Sequence, residues 1–216
     1  MSSTKKEAVQ KTVRKYGIFL IGLMFVSFGI AFVTKAELGI SPVSAIPYSL
    51  ALIIPSISLG NWTIIYSLLL IGLEILLLRK DTNKLEIVLQ LVISFLFGYF
   101  IDFSLWILTA LAPKLYLWRM ISLLAGTAVI AFGVYLELVA GLVLVPGEAF
   151  VRAVAKVTGK EFGTVKVISD TTMSLIGAAL CLIFLHKLSG VREGTIIAAL
   201  LIGNIVKFYS KVFRKH

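Results

Sequence analysis

A chain of 216 residues that is 59% hydrophobic and 15% charged, with a mean hydropathy of +1.00, lies outside the range of soluble domains, which are about 45–50% apolar and about 25% charged. Its formal charge of +10 comes from basic residues that border apolar runs, so they read as membrane-topology signals rather than as a nucleic-acid footprint. One cysteine, Cys181, and two histidines, His186 and His216, exclude an intrachain disulfide and a zinc constellation.

The first element, Met1–Lys15, is polar and basic. The apolar run behind it, Tyr16–Thr34, is too long for the core of a cleavable signal and has no small-x-small exit, so residues 1–15 read as a cytoplasmic lead-in to a first span. Next comes "GISPVSAIPYSLALIIP", Gly39–Pro55, apolar but short. Thirteen residues from Pro42 to Ile54 make about 20 Å of helix, against a hydrocarbon core of about 30 Å. Pro42 suits a first helical turn, where its missing N–H would be unpaired anyway, and Ser41 stands before it as an N-cap. The segment is therefore a half-helix.

Long apolar runs follow at Trp62–Leu78, Ile87–Leu111 and Trp118–Leu138, then a second short Pro-initiated segment from Pro146, then Val165–Leu185 and Thr195–Phe208. Each long run approaches or exceeds the roughly 17–25 residues of a spanning helix. All are continuous, which excludes the alternating pattern of a membrane barrel. The fold class is all-α membrane with six transmembrane helices. With a cytoplasmic N-terminus, sixteen of the 21 Lys and Arg fall inside and five outside, so the positive-inside rule places both termini in the cytoplasm.

The chain repeats itself at a spacing of 104 residues. "FVSFGIAF" (Phe25–Phe32) falls on "VIAFGVYL" (Val129–Leu136), Gly22 on Gly126, Pro42 on Pro146 and Ala45 on Ala149. A slip of one residue brings "LGNWTIIYS" onto "FGTVKVISD", so Gly60 meets Gly163. The opposite slip brings "FGYFIDF" onto "IGNIVKF", so Gly98 meets Gly203. Residues 16–112 and 113–216 thus form two three-span units of one transmembrane domain. An odd number of spans inverts the second unit, the inverted-repeat plan of many secondary transporters, whose sites lie at broken helices near the midplane.

Five acids lie within or against the apolar segments: Glu74, Asp102, Glu137, Glu148 and Asp170. Intramembrane charges are costly and usually face the protein interior with partners. Glu74, five residues before Arg79, and Glu137, near the inner end of its span, read as solvated helix ends. Asp102 falls about 24 Å along its helix, near the outer boundary. Asp170 follows Lys166 by four residues, one turn on the same face, where an ion pair forms. That pair serves as a structural lock or opens for a substrate or proton. Glu148, Arg152 and Lys156 recur every fourth residue, a polar stripe that suits a helix at the membrane surface or one lining a wet cavity. Small residues on the first span (Gly17, Gly22, Gly29) and on the sixth (Gly194, Ala198, Ala199, Gly203) read as helix-packing faces.

On the segments "ELGISPVSAIPYSLA", "LGNWTIIYSLLLIG", "VPGEAFVRAVAKVTGKEFGTVKVISDTTMSLIG" and "SGVREGTIIAALLIGNIVKF" the chain resembles the bacterial YczE/YyaS/YitT group of membrane proteins, and its YczE branch most closely. The group has Gly-x-x-Pro half-helix starts, a basic residue four before an acid on the fifth span, and a Gly-Thr…Gly sixth span. Lys166 and Asp170 match the pair, Gly194, Thr195 and Gly203 the last motif, and Glu148 the acidic position after the second proline. Ser44 departs from it, standing where an acid is common. The resemblance implies an integral protein of the bacterial cytoplasmic membrane and no particular substrate.

These readings make the protein a small-solute transporter or channel with its site between the two units. Primary site candidates are Ser41, Pro42, Ser44, Pro146, Gly147, Glu148, Lys166 and Asp170, with Asp102 and Asn204 as secondary candidates. The alternative is a non-transport accessory or scaffold protein of a secretion or biosynthesis system. A transporter is expected to hold a wet cavity lined by the two loops and by Lys166 and Asp170, and a scaffold to be packed solid there. No phosphate loop, Ser-His-Asp set or zinc motif appears, so neither enzymatic activity nor a cofactor or metal is expected. The partners are the lipid bilayer, a solute whose anionic group the half-helix dipoles favour, and a second copy in a homodimer.

Overall fold

A computed structural model describes residues 3–213. Arg214, Lys215 and His216, and the side chains of Lys5, Lys6, Lys11 and Lys80, which enter the charge count, lie outside the described residues. Eight α-helices follow one another: α1 Ser3–Ala36, α2 Ala45–Ile53, α3 Leu59–Leu78, α4 Lys84–Ile107, α5 Tyr116–Ala140, α6 Pro146–Thr158, α7 Phe162–Leu185 and α8 Glu193–Phe213. No strand occurs among the described residues. Six helices are long and apolar enough to cross a membrane, namely α1, α3, α4, α5, α7 and α8, and α2 and α6 fall short.

Local chemistry accounts for most boundaries. The Ser58 side chain accepts from the Asn61 N–H at 3.1 Å and starts α3 three residues before the first apolar run suggests. Asn83 starts α4 in the same way by accepting from the Leu85 N–H. Such caps satisfy orphan donors of the first turn. Gly141 and Gly159 stop α5 and α6 with φ of 56° and 68°, the left-handed geometry that costs glycine no steric clash. Helix α1 runs without a break from Ser3 into the first span, because "STKKEAVQK" consists largely of good helix formers and holds neither Gly nor Pro.

Helices α1 and α5 form the most extensive contact and run antiparallel. Their backbones touch at two glycine crossings. A Cβ on Gly133 would lie 2.6 Å from the Gly22 carbonyl oxygen, and one on Gly29 would lie 2.7 Å from that of Gly126. No residue larger than glycine fits such an approach, the small-residue packing by which membrane helices associate. Around this pair α4 packs on α1 and α8 on α5. Each short helix crosses to the other half of the chain: α2 packs on α7, where Ser49 Oγ donates to the Gly177 carbonyl at 2.9 Å, and α6 packs on α3. Of the expected packing glycines, Gly22, Gly29 and Gly194 make close contacts, while Gly17 and Gly203 stand open.

Candidate functional site

The short helices bring their N-termini together. A Cβ built on Gly147, at the start of α6, would lie 3.0 Å from Cγ1 of Val43, in the turn before α2. Pro42, Pro146 and Gly147 are buried there. The chain enters α2 through a 3-10 turn over Pro42–Ser44, so the half-helix covers Pro42–Ile53 and its first turn is not α. Ser41 does not cap it. Its hydroxyl donates to Ser44 Oγ at 3.2 Å instead, and Val145, before α6, has no polar side chain to offer. Helix starts without side-chain caps keep N–H groups and their partial positive charge available.

Charged groups gather beside this junction. On α7, Lys166 Nζ donates to Asp170 Oδ1 at 2.8 Å, the expected i,i+4 pair, with both side chains about a quarter exposed. Glu148, half-buried in the first turn of α6, feels both of these charges. Together with Glu137 of α5 it lines a cavity of about 20 Å³ walled by Val134, Val143 and Val145, the volume of about one water. The Oε1 atom of Glu137 is buried without a hydrogen-bond partner. Lys166 and Asp170 do not line this cavity, so the pocket around Glu148 is smaller than the expected wet chamber.

Two of the expected sites lie elsewhere. Asp102, near the C-terminus of α4, accepts from Ser58 Oγ at 2.6 Å and from the Gly60 N–H at 2.8 Å. It therefore holds the N-terminus of α3 and touches neither short helix through these bonds. Asn204 is exposed on α8 and donates to the Leu200 carbonyl of its own helix.

The polar stripe of α6 has a definite destination. Arg152 Nη2 donates to Glu86 Oε2 at 2.7 Å and stands 4.0 Å from Glu74 Oε1, and Lys156 pairs with Asp81 at 3.0 Å. The stripe thus ties α6 to the end of the α3–α4 hairpin. Glu74 is only 2% exposed, which overturns its reading as a solvated helix end. Unmarked by any sequence pattern, Gln90 of α4 is completely buried and stands beside the Glu74 carboxyl. Among the described residues no cluster of His, Cys, Asp and Glu is arranged to hold a metal ion.

Six helices long and apolar enough to span, with two short ones whose N-termini meet, define a multi-pass helical membrane protein. Over residues 13–211 the chain matches, and belongs to, a family of unknown function (DUF6198). Neither a curated protein nor a solved structure matches it.

Proposed function

We propose that this protein moves a small solute through the bacterial cytoplasmic membrane, as a transporter or channel built from two inverted three-span units with both termini cytoplasmic. The observation that carries the reading is the junction of α2 and α6 beside Lys166 and Asp170. Val43 and Gly147, which touch there, are 104 residues apart, the spacing of the sequence repeat. The same shift turns the Gly22–Gly133 crossing into Gly126–Gly29. Antiparallel contacts that map onto themselves in this way support a two-fold axis lying in the membrane plane, as an inverted pair of units requires. The pairings α1–α4 and α5–α8, α2–α3 and α6–α7, α2–α7 and α6–α3 correspond likewise.

Two helix N-termini and a lysine favour an anionic group on the solute. Asp170 keeps Lys166 in position until the solute competes for it. The relationship to the YczE/YyaS/YitT group is part of the same proposal. The test is thermal unfolding of the purified protein with small carboxylates, phosphate or sulfate, since a ligand of the native state raises its apparent stability. Stabilisation of the wild type that is lost in Lys166→Met supports the site, and no shift with any of these anions counts against it.

One observation favours the accessory reading: the cavity that Glu148 lines accommodates about one water. A scaffold needs no more room than that. Uptake into proteoliposomes separates the two readings, because a scaffold leaves the vesicle interior unchanged.

A further inference from the structure

The two units carry the same pattern but pack it differently. In the first, α3 and α4 are closed on each other. A Cβ on Gly98 would lie 2.6 Å from the Gly60 carbonyl oxygen and 2.5 Å from Ile64 Cγ1, and one on Gly60 would collide with the Gly98 carbonyl. Asp102 pins this end by accepting from Ser58 and from the Gly60 N–H. The repeat places Gly163 and Gly203 at the positions of Gly60 and Gly98, and Val167 at that of Ile64. Yet α7 and α8 do not pack as α3 and α4 do. A Cβ on Gly203 meets nothing within 4 Å, and one on Gly163 meets Glu161 of its own segment at 3.8 Å. Val167 is 66% exposed where Ile64 is 7% exposed.

The same alignment puts Glu161 at the position of Ser58 and Lys207 at that of Asp102. A hydrogen-bonded pair in the first unit thus has an oppositely charged pair as its counterpart in the second. Neither Glu161 nor Lys207 has an ion-pair partner among the described residues, and both are exposed. Thr63 and Ser67, buried in the first unit, correspond to Lys166 and Asp170, whose side chains are a quarter exposed.

We infer that the second unit closes as the first has: α7 and α8 come together through Gly163 and Gly203, Glu161 takes Lys207 as its partner, and the Lys166–Asp170 pair is buried. The inference rests on the inverted-unit reading and adds a second state to it. By that reading the present opening between α7 and α8 lies on the cytoplasmic side, so closure seals the cytoplasmic approach to the half-helix junction. Alternating access needs such a movement of one packed group against another around a fixed site.

A zero-length carbodiimide cross-link on the full chain in lipid nanodiscs tests this, because it joins a carboxylate to an amine only when they touch. Asp81 and Lys156, already 3.0 Å apart, provide the reference link. The expected result is an amide between Glu161 and Lys207 in the monomer-sized band, absent in Glu161→Gln. The reference link without the Glu161–Lys207 link overturns the closure, as does a Glu161–Lys207 link confined to a dimer-sized band, which makes this face a contact between copies. Reporter fusions keep the two ideas apart. Reporters at Asp81 and Lys114 on opposite sides, with no Glu161–Lys207 link, sink the closure alone; both on one side sink the unit pairing on which it depends.

Discussion

Asp102 and Asp170 are both aspartates within apolar helices, and their partners separate their roles. Asp102 spends its carboxylate on the start of α3, through Ser58 Oγ and the Gly60 N–H. Asp102→Ala should therefore lower stability by about 1.5–3 kcal/mol, the range for hydrogen bonds to a charged group, read as a lower melting temperature in detergent. Asp170→Asn keeps the shape beside Lys166 and should melt near the wild type while changing uptake or anion-induced stabilisation. If Lys166→Asp with Asp170→Lys retains full activity, the pair is a lock and not a binding site. Sequence spacing foretold this pair because i,i+4 neighbours meet on any helix. Glu74 is the opposite case. One turn from the end of α3 it ought to reach water, but α6, far along the chain, folds back over it and brings Arg152. Gln90 carries no charge and sits in no motif, so only the packing of α3, α4 and α6 reveals it.

At the level of elements, proline and length together announced the short helices. Pro42 and Pro146 start segments of 12 and 13 residues, too short to span. The spacing did not announce the 3-10 turn at Pro42–Ser44, nor that each short helix lies on the opposite half of the chain, since no local pattern encodes a contact between elements so distant in the chain. Glycine was legible as a packing residue, but which glycines pack was not. Gly98 and Gly203 stand at matched positions, one against the Gly60 backbone and the other open. Gly98→Leu should cost about 1–3 kcal/mol or more by overpacking, whereas Gly203→Leu should melt within about 0.5 kcal/mol of the wild type. Thermal unfolding of both variants in one detergent checks this. Equal destabilisation would mean that α7 and α8 are already closed in the purified protein, while a selective loss of the Glu161–Lys207 link in Gly203→Leu would tie the open glycine to the closure.

For the whole molecule the sharpest question is whether α6 dips into the membrane or crosses it. Its 13 residues make about 20 Å of helix, short of a hydrocarbon core of about 30 Å. Its flanks agree with that arithmetic: Arg152 and Lys156 are bound to Glu86 and Asp81, on the hairpin between α3 and α4. That hairpin carries Arg79, Lys80 and Lys84, and the turn after α6 carries Lys160, so under the proposed orientation both are expected in the cytoplasm. Lys114, before α5, and Lys187, before α8, are then expected outside. Reporter fusions at Asp81 and Lys160 should both signal cytoplasm, and those at Lys114 and Lys187 the opposite side. A crossing by α6, matched by α2 as its counterpart in the repeat, would give each unit an even number of spans, leave the two units parallel and put Asp81 and Lys160 on opposite sides. Opposite signals at Asp81 and Lys160 would therefore remove the inverted plan, and with it the two-ended dipole site at Val43 and Gly147.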